Sequence, residues 1–186
     1  MQGNVVQGRI IWLEPKQAVP RLLNGIEAGV FGGLAMLALL ISSSLWRGEP
    51  WWTPSNLLGT TFYGAPALSI GPSRATLAGC ALHIFITGVI GAVFGLLCGR
   101  IQRRKRLVLL GTLAGLIWHG FADAMLWPRI NPLVSLYSAQ PVTLFSHALF
   151  GACLGYMART FPTAIPQIAP PNLALAEAEQ EWDGVK

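Results

Sequence analysis

Three histidines and an aspartate interrupt otherwise apolar runs: His83, His119, Asp123 and His147. Ionisable side chains are costly in hydrocarbon, so each is a candidate for function. His119 and Asp123 are spaced i, i+4 and share one helical face. Three chemistries fit the set. Each imidazole can hydrogen-bond a neighbouring helix while Asp123 pairs with His119 or Arg129, as polar groups do in small membrane bundles. His83, His119 and His147 can instead bind haem, copper or zinc, with Asp123 as a ligand or as the carboxylate that orients one. Or the group relays protons or binds a quinone head, with Asp123 as the titrating member. The sequence requires no haem or metal. Glu27 stands apart as a proton or ion site, or as an ion-pair partner for Arg100 or Arg159.

The elements that must hold these groups follow from composition. Of 186 residues, 53% are hydrophobic and only 11% are charged, against roughly 25% charged in a soluble domain. The pattern predicts an all-α integral membrane protein with four transmembrane helices, over about 22–46, 75–99, 107–127 and 141–161. Residues 1–21 form a polar N-terminal segment whose charges and prolines do not suit a cleavable signal. Residues 47–74 form an interfacial or re-entrant outer segment. Residues 162–186 form a soluble acidic tail, disordered or with a short helix over 172–182. Cys80, Cys98 and Cys153 sit in apolar runs without a CxxC neighbour, so neither a zinc knuckle nor a disulfide framework is expected.

The net charge of +5 is not a nucleic-acid signal, because the positive residues gather beside the spans. Arg100, Arg103, Arg104, Lys105 and Arg106 mark one loop as cytoplasmic, which places both termini inside (N-in, C-in). Trp46, Trp51, Trp52 and Trp127 then fall on the outer side, where indole rings prefer the headgroup region. At ~1.5 Å per residue, His83, His119, Asp123 and His147 lie ~6–14 Å from the outer boundary.

The second half of the chain echoes the first. Gly25-x-x-Ala28-Gly29 matches Gly111-x-x-Ala114-Gly115, and Trp52 with Asn56 matches Trp127 with Asn131. Tyr63-x-Ala65 matches Tyr137-x-Ala139, and Gly91-Ala92-x-x-Gly95 matches Gly151-Ala152-x-x-Gly155. The order is kept while the offsets shrink, as a duplicated hairpin with shorter loops requires. Each copy holds two spans, so the repeat is parallel and the fold is two tandem hairpins forming a bundle. Trp52, Asn56, Trp127 and Asn131 are its repeated outer caps, and Asn suits turns and helix N-caps. Gly25, Gly29, Gly33, Gly91, Gly95, Gly111, Gly115, Gly151 and Gly155 form small-residue stripes for close helix packing.

The run Trp52-x-Pro54-x-Asn56-Leu57-Leu58 after a glycine-rich first span resembles one in small polytopic proteins of the bacterial inner membrane. The resemblance implies that location and no particular activity. No GxSxG, HExxH, Walker loop or dinucleotide fingerprint is present, so no enzyme is expected. The leading functional expectation is an accessory or structural subunit, or an assembly partner, of a larger membrane complex, with electron transfer as one setting. Its partners are the lipid bilayer and other membrane proteins or further copies of the chain. The alternatives are a small transporter or channel with a polar cavity joining His83, His119, Asp123 and His147, or a haem or metal carrier.

Overall fold

The computed structural model describes residues 15–101 and 103–158. Residues 1–14, Arg159, the acidic tail and its expected helix lie outside them. The described residues are mostly helical, with no strand. Helix α1 runs Pro15–Trp46, α2 Thr53–Tyr63, α3 Arg74–Cys98 and α4 Arg104–Phe121. A π-helical turn, Ala122–Leu126, joins α4 to α5, Trp127–Ile130; α6 is Pro132–Tyr137 and α7 is Gln140–Met157. Three stretches are long and apolar enough to cross a membrane: Ala18–Trp46, Arg74–Cys98 and Arg104–Ile130. The outward faces agree, since Leu77 and Leu97 on α3 are 72% and 76% exposed, an apolar surface that water would not favour.

Helix α1 starts earlier than hydropathy indicates, taking in residues assigned above to the polar N-terminal segment. Pro20 lies inside the helix, where it removes the N–H that would otherwise close an i→i−4 bond in this early part of α1. Helix α3 starts at Arg74 because Ser73 caps it: the Ser73 hydroxyl accepts from the Ala75 N–H at 3.2 Å, and the Ser73 N–H donates to the Thr76 hydroxyl at 2.9 Å. The two bonds satisfy groups that a helix terminus otherwise leaves open.

Glycines set the packing. A methyl group on Gly25 would strike the Gly91 carbonyl oxygen, and one on Gly29 the Thr87 carbonyl. One on Gly111 would strike the Gly151 carbonyl, and one on Gly115 the His147 carbonyl. Helices α1 and α3 therefore meet backbone to backbone, as do α4 and α7, gaining dispersion contacts that lipid cannot offer. Helix α1 also packs on α7, where Gly32 abuts Phe150. The long helices thus follow the order α3, α1, α7, α4, and α3 and α4 share no comparable interface.

Within the outer segment, expected to lie along the interface or to dip in as a re-entrant loop, Thr53–Tyr63 is helical. Ser55 of α2 lies against Gly79, and Gly59 lies against Ala75, so α2 runs antiparallel to the first turns of α3. Two glycines facing carbonyls make this third close approach.

Candidate functional site

A cavity of about 480 Å³ opens at the tryptophan-bearing end, between α1, α3 and α7 and beside α2 and α6. Its apolar wall includes Met36, Leu40, Leu57, Ile86, Ile90 and Phe150. Trp118 and Trp127 line it from the α4–α5 side. Arg47 and Glu49 also line it, and they form the one ion pair among the described residues. Gly48 between them takes φ +75°, a conformation easy only for glycine, and this turns Glu49 back onto Arg47. The guanidinium donates to both Glu49 oxygens, from Nε at 3.0 Å and from Nη2 at 2.8 Å, and from Nη1 to the Ser43 hydroxyl at 2.6 Å. The hydrogen bond to Glu49 holds Arg47 protonated more firmly than usual, and the same bond lowers the Glu49 carboxyl below its ordinary range.

A polar belt crosses the cavity deeper in, built from two side chains on each of two helices. On α3 it is His83 and Thr87; on α7 it is Thr143 and His147. His83 Nε2 lies 2.9 Å from the Gly33 carbonyl oxygen, and His147 Nδ1 lies 2.7 Å from the Thr143 carbonyl oxygen. A carbonyl oxygen only accepts, so the bonded nitrogen of each ring carries the hydrogen. Neutral His83 is therefore the Nε2–H tautomer and neutral His147 the Nδ1–H tautomer. The Thr87 hydroxyl donates to the His83 carbonyl at 3.0 Å, and the Thr143 hydroxyl to the Ala139 carbonyl at 2.7 Å.

The structure brings only part of the expected cluster together. His83 and His147 share the cavity. The His119 ring lies 4.9 Å from the His147 ring, centroid to centroid, yet off the cavity wall. Asp123 neither reaches His119 nor pairs with Arg129. It falls in the π-helical turn, which breaks the i, i+4 register with His119, and it accepts from Gln140 Nε2 at 2.9 Å. Arg129 donates to the Met125 carbonyl instead. Among the described residues no three His, Cys, Asp or Glu side chains gather as a metal site requires. The His119 and His147 rings are also too close to admit a haem between them.

Glu27 is exposed on α1 and forms no ion pair among the described residues, Arg100 included. Trp52 holds the N-cap position of α2 without a side-chain bond there. Asn56 lies inside α2 rather than at its cap. It is 1% exposed, its Oδ1 accepts from the Thr76 hydroxyl at 2.6 Å, and its Nδ2 donates to the carbonyls of Ala67 at 3.0 Å and Ile70 at 2.8 Å. One amide thus joins α2, α3 and the short 3-10 turn Ala65–Leu68. Asn131 stands at the start of α6 but does not cap it; its Nδ2 donates to the hydroxyls of Thr60 at 2.7 Å and Thr61 at 2.9 Å on α2. The repeated asparagines are cross-links between elements.

Sequence reasoning leaves out Arg47, Glu49, Thr87, Thr143 and Trp118. The belt did leave a trace. His83-x-x-x-Thr87 and Thr143-x-x-x-His147 stand 60 residues apart, the offset that relates Gly91 to Gly151. Aligned so, each His meets a Thr.

Residues 19–168 match the model of the DUF6789 family, a family of unknown function. No solved structure matches the chain.

Proposed function

The chain belongs to the DUF6789 family, and we propose that this member is a non-catalytic four-span protein of the bacterial inner membrane that binds an amphiphile from the outer leaflet. The observation that carries the reading is the cavity: apolar walls, a polar belt of two imidazoles and two hydroxyls, and an ion pair on its lining. Its volume falls within the roughly 300–1,000 Å³ of small-molecule pockets, which are mostly apolar with a few placed polar groups. It departs from the transporter or channel alternative, whose polar cavity joins His83, His119, Asp123 and His147, because His119 and Asp123 lie off this cavity's lining.

The membrane frame rests on several supports. Helix α7 has 18 residues, about 27 Å of helix against ~30 Å of hydrocarbon, so with a few more residues it suffices as the fourth span. Gln140, Ser146 and His147 lower its hydropathy, and the latter two are buried. The arginine-rich loop after α3 belongs inside by the positive-inside rule, which places the cavity in the outer half. The repeat is supported by equivalent collisions: Gly25 meets the Gly91 carbonyl as Gly111 meets that of Gly151, and Gly95 meets the Arg21 carbonyl as Gly155 meets that of Leu107. Each pair is related by the offsets already present in the sequence.

The two hairpins do not enclose the cavity symmetrically. Helix α1 packs on α7, whereas the corresponding pair, α4 and α3, is not packed. Ile86 and Ile90 on α3 face this side of the cavity, with Trp118 on α4 across from them. An acyl chain can enter there from the bilayer without crossing water.

Quenching tests the reading. A decyl amphiphile brominated along its chain should quench Trp118 and Trp127 in nanodiscs and lose that component in the Trp118→Phe, Trp127→Phe double variant. Quenching that is unchanged by the double variant, or by the cavity-filling substitution Val142→Trp once the added indole is subtracted, would refute it.

A subunit role in a larger complex is the second reading. It is favoured by Glu27, a carboxylate on the same outward face as Leu23 and Phe31, which are 53% and 55% exposed. A partner helix would cover such a group better than lipid does. Mild-detergent purification from native membranes tests it: a stoichiometric partner lost in Glu27→Leu supports it, and a particle of this chain alone contradicts it.

A further inference from the structure

The belt lining the cavity has an unusual property: all four of its polar side chains donate their hydrogen to a backbone carbonyl. His83 donates to Gly33, Thr87 to His83, Thr143 to Ala139 and His147 to Thr143. What remains for a ligand is Nδ1 of His83, Nε2 of His147 and the hydroxyl lone pairs, which are acceptors only. A ligand that supplies hydrogens to these acceptors gains a hydrogen bond at each, and one that only accepts gains none. The donors on the lining lie elsewhere: the indoles of Trp118 and Trp127, the phenol of Tyr137, Arg47 and the hydroxyls of Ser44, Thr53, Ser69 and Ser138.

Charge narrows the choice further. An anionic head would meet only lone pairs at the belt. A cationic head would need a carboxylate, and the one carboxylate on the lining, Glu49, is already paired with Arg47. An uncompensated charge in a low-dielectric site is strongly disfavoured. A neutral hydroxyl avoids both penalties and supplies the missing hydrogens.

Resting on the amphiphile reading above, we infer that the cavity selects a neutral amphiphile whose head donates hydrogen bonds, a dihydroxyaromatic or another hydroxylated head, over the equivalent head that only accepts. No covalent change in the ligand is implied.

A matched pair of probes tests this. Decyl para-hydroquinone and decyl para-benzoquinone have the same ring and tail, and they differ in whether the two ring oxygens donate. Equilibrium partition of each is measured anaerobically into nanodiscs carrying the full chain, with empty nanodiscs subtracted. The hydroquinone should bind about tenfold tighter or more, the scale of one or two additional net hydrogen bonds. His83→Leu and His147→Leu should each reduce that preference while retaining quinone binding. Equal affinity, or tighter quinone binding, on the unmodified protein overturns the donor selectivity and leaves the amphiphile site standing. Specific binding of neither probe overturns both.

Discussion

Two glycines of α4 allow one substitution to be read in two environments. Gly111 and Gly120 both lie within Arg104–Phe121, and replacing either by alanine adds one methyl group. At Gly120 that methyl meets nothing within 4 Å. There the change acts through helix propensity and should stabilise by up to about 1 kcal/mol. At Gly111 the methyl runs into the Gly151 carbonyl oxygen and crowds the Gly155 Cα at 3.0 Å. Those obstacles are backbone, which no rotamer change can move aside. Overpacking of this kind costs about 1–3 kcal/mol, and the upper end applies because α4 and α7 must separate along the stripe. After the propensity gain is subtracted, the net loss is about 2 kcal/mol. The two variants should therefore differ by about 3 kcal/mol, roughly two decades in the unfolding equilibrium constant. Steric trapping in bicelles, which measures unfolding without removing the bilayer, gives both values. Stabilities that agree to within about 0.5 kcal/mol would refute glycine-mediated contact between α4 and α7.

Other expectations follow from named contacts. Asn56→Leu conserves bulk but strands the carbonyls of Ala67 and Ile70 and the Thr76 hydroxyl, so it should destabilise by about 3 kcal/mol in the same assay. Asn131→Leu should cost less, about 1–2 kcal/mol, because the Thr60 and Thr61 hydroxyl oxygens lose only a donor and the Thr60 hydroxyl still donates to the Leu57 carbonyl. Because Arg47 lowers the folded-state pKa of Glu49 below the ordinary 4.5, the contribution of the pair is fully present above that value and is lost as pH falls through the lowered one. Thermal stability should then be flat from neutral pH to about the ordinary value and decline below it, by under about 1 kcal/mol for a pair this exposed, and Glu49→Gln should remove that part of the decline. In a variant lacking native cysteines, Gly71→Cys should react with an impermeant maleimide added outside intact cells. Arg103→Cys should react only after lysis, and the reverse pattern would invert the topology.

Much of the fold was legible because membrane helices declare themselves by composition and by i, i+4 spacing. Gly25 with Gly29, and Gly111 with Gly115, were readable as contact stripes since only glycine permits that approach. The α2 helix was not legible: Gly59, Gly64 and Pro66 read as breaks in an interfacial or re-entrant segment, while its course along α3 depends on Gly59 and Gly79 meeting across α2 and α3. The His/Asp cluster was half legible. His83 and His147 fall on facing helices as expected, but the π-helical turn carries Asp123 toward Gln140, and an ideal helical wheel has no place for that extra residue per turn. The cavity's apolar walls and its lining were not legible, because it arises where packed helices part. The tautomers at its belt follow from which carbonyls lie within reach, and sequence spacing alone does not give that.

The central claim is that this cavity holds an amphiphile, and native mass spectrometry of the full chain released from nanodiscs tests it most directly. Expected is one small amphiphile per chain, retained through release and absent from Val142→Trp, whose indole occupies the same space. An unliganded spectrum for the unmodified chain, or the same adduct on Val142→Trp, would contradict the claim.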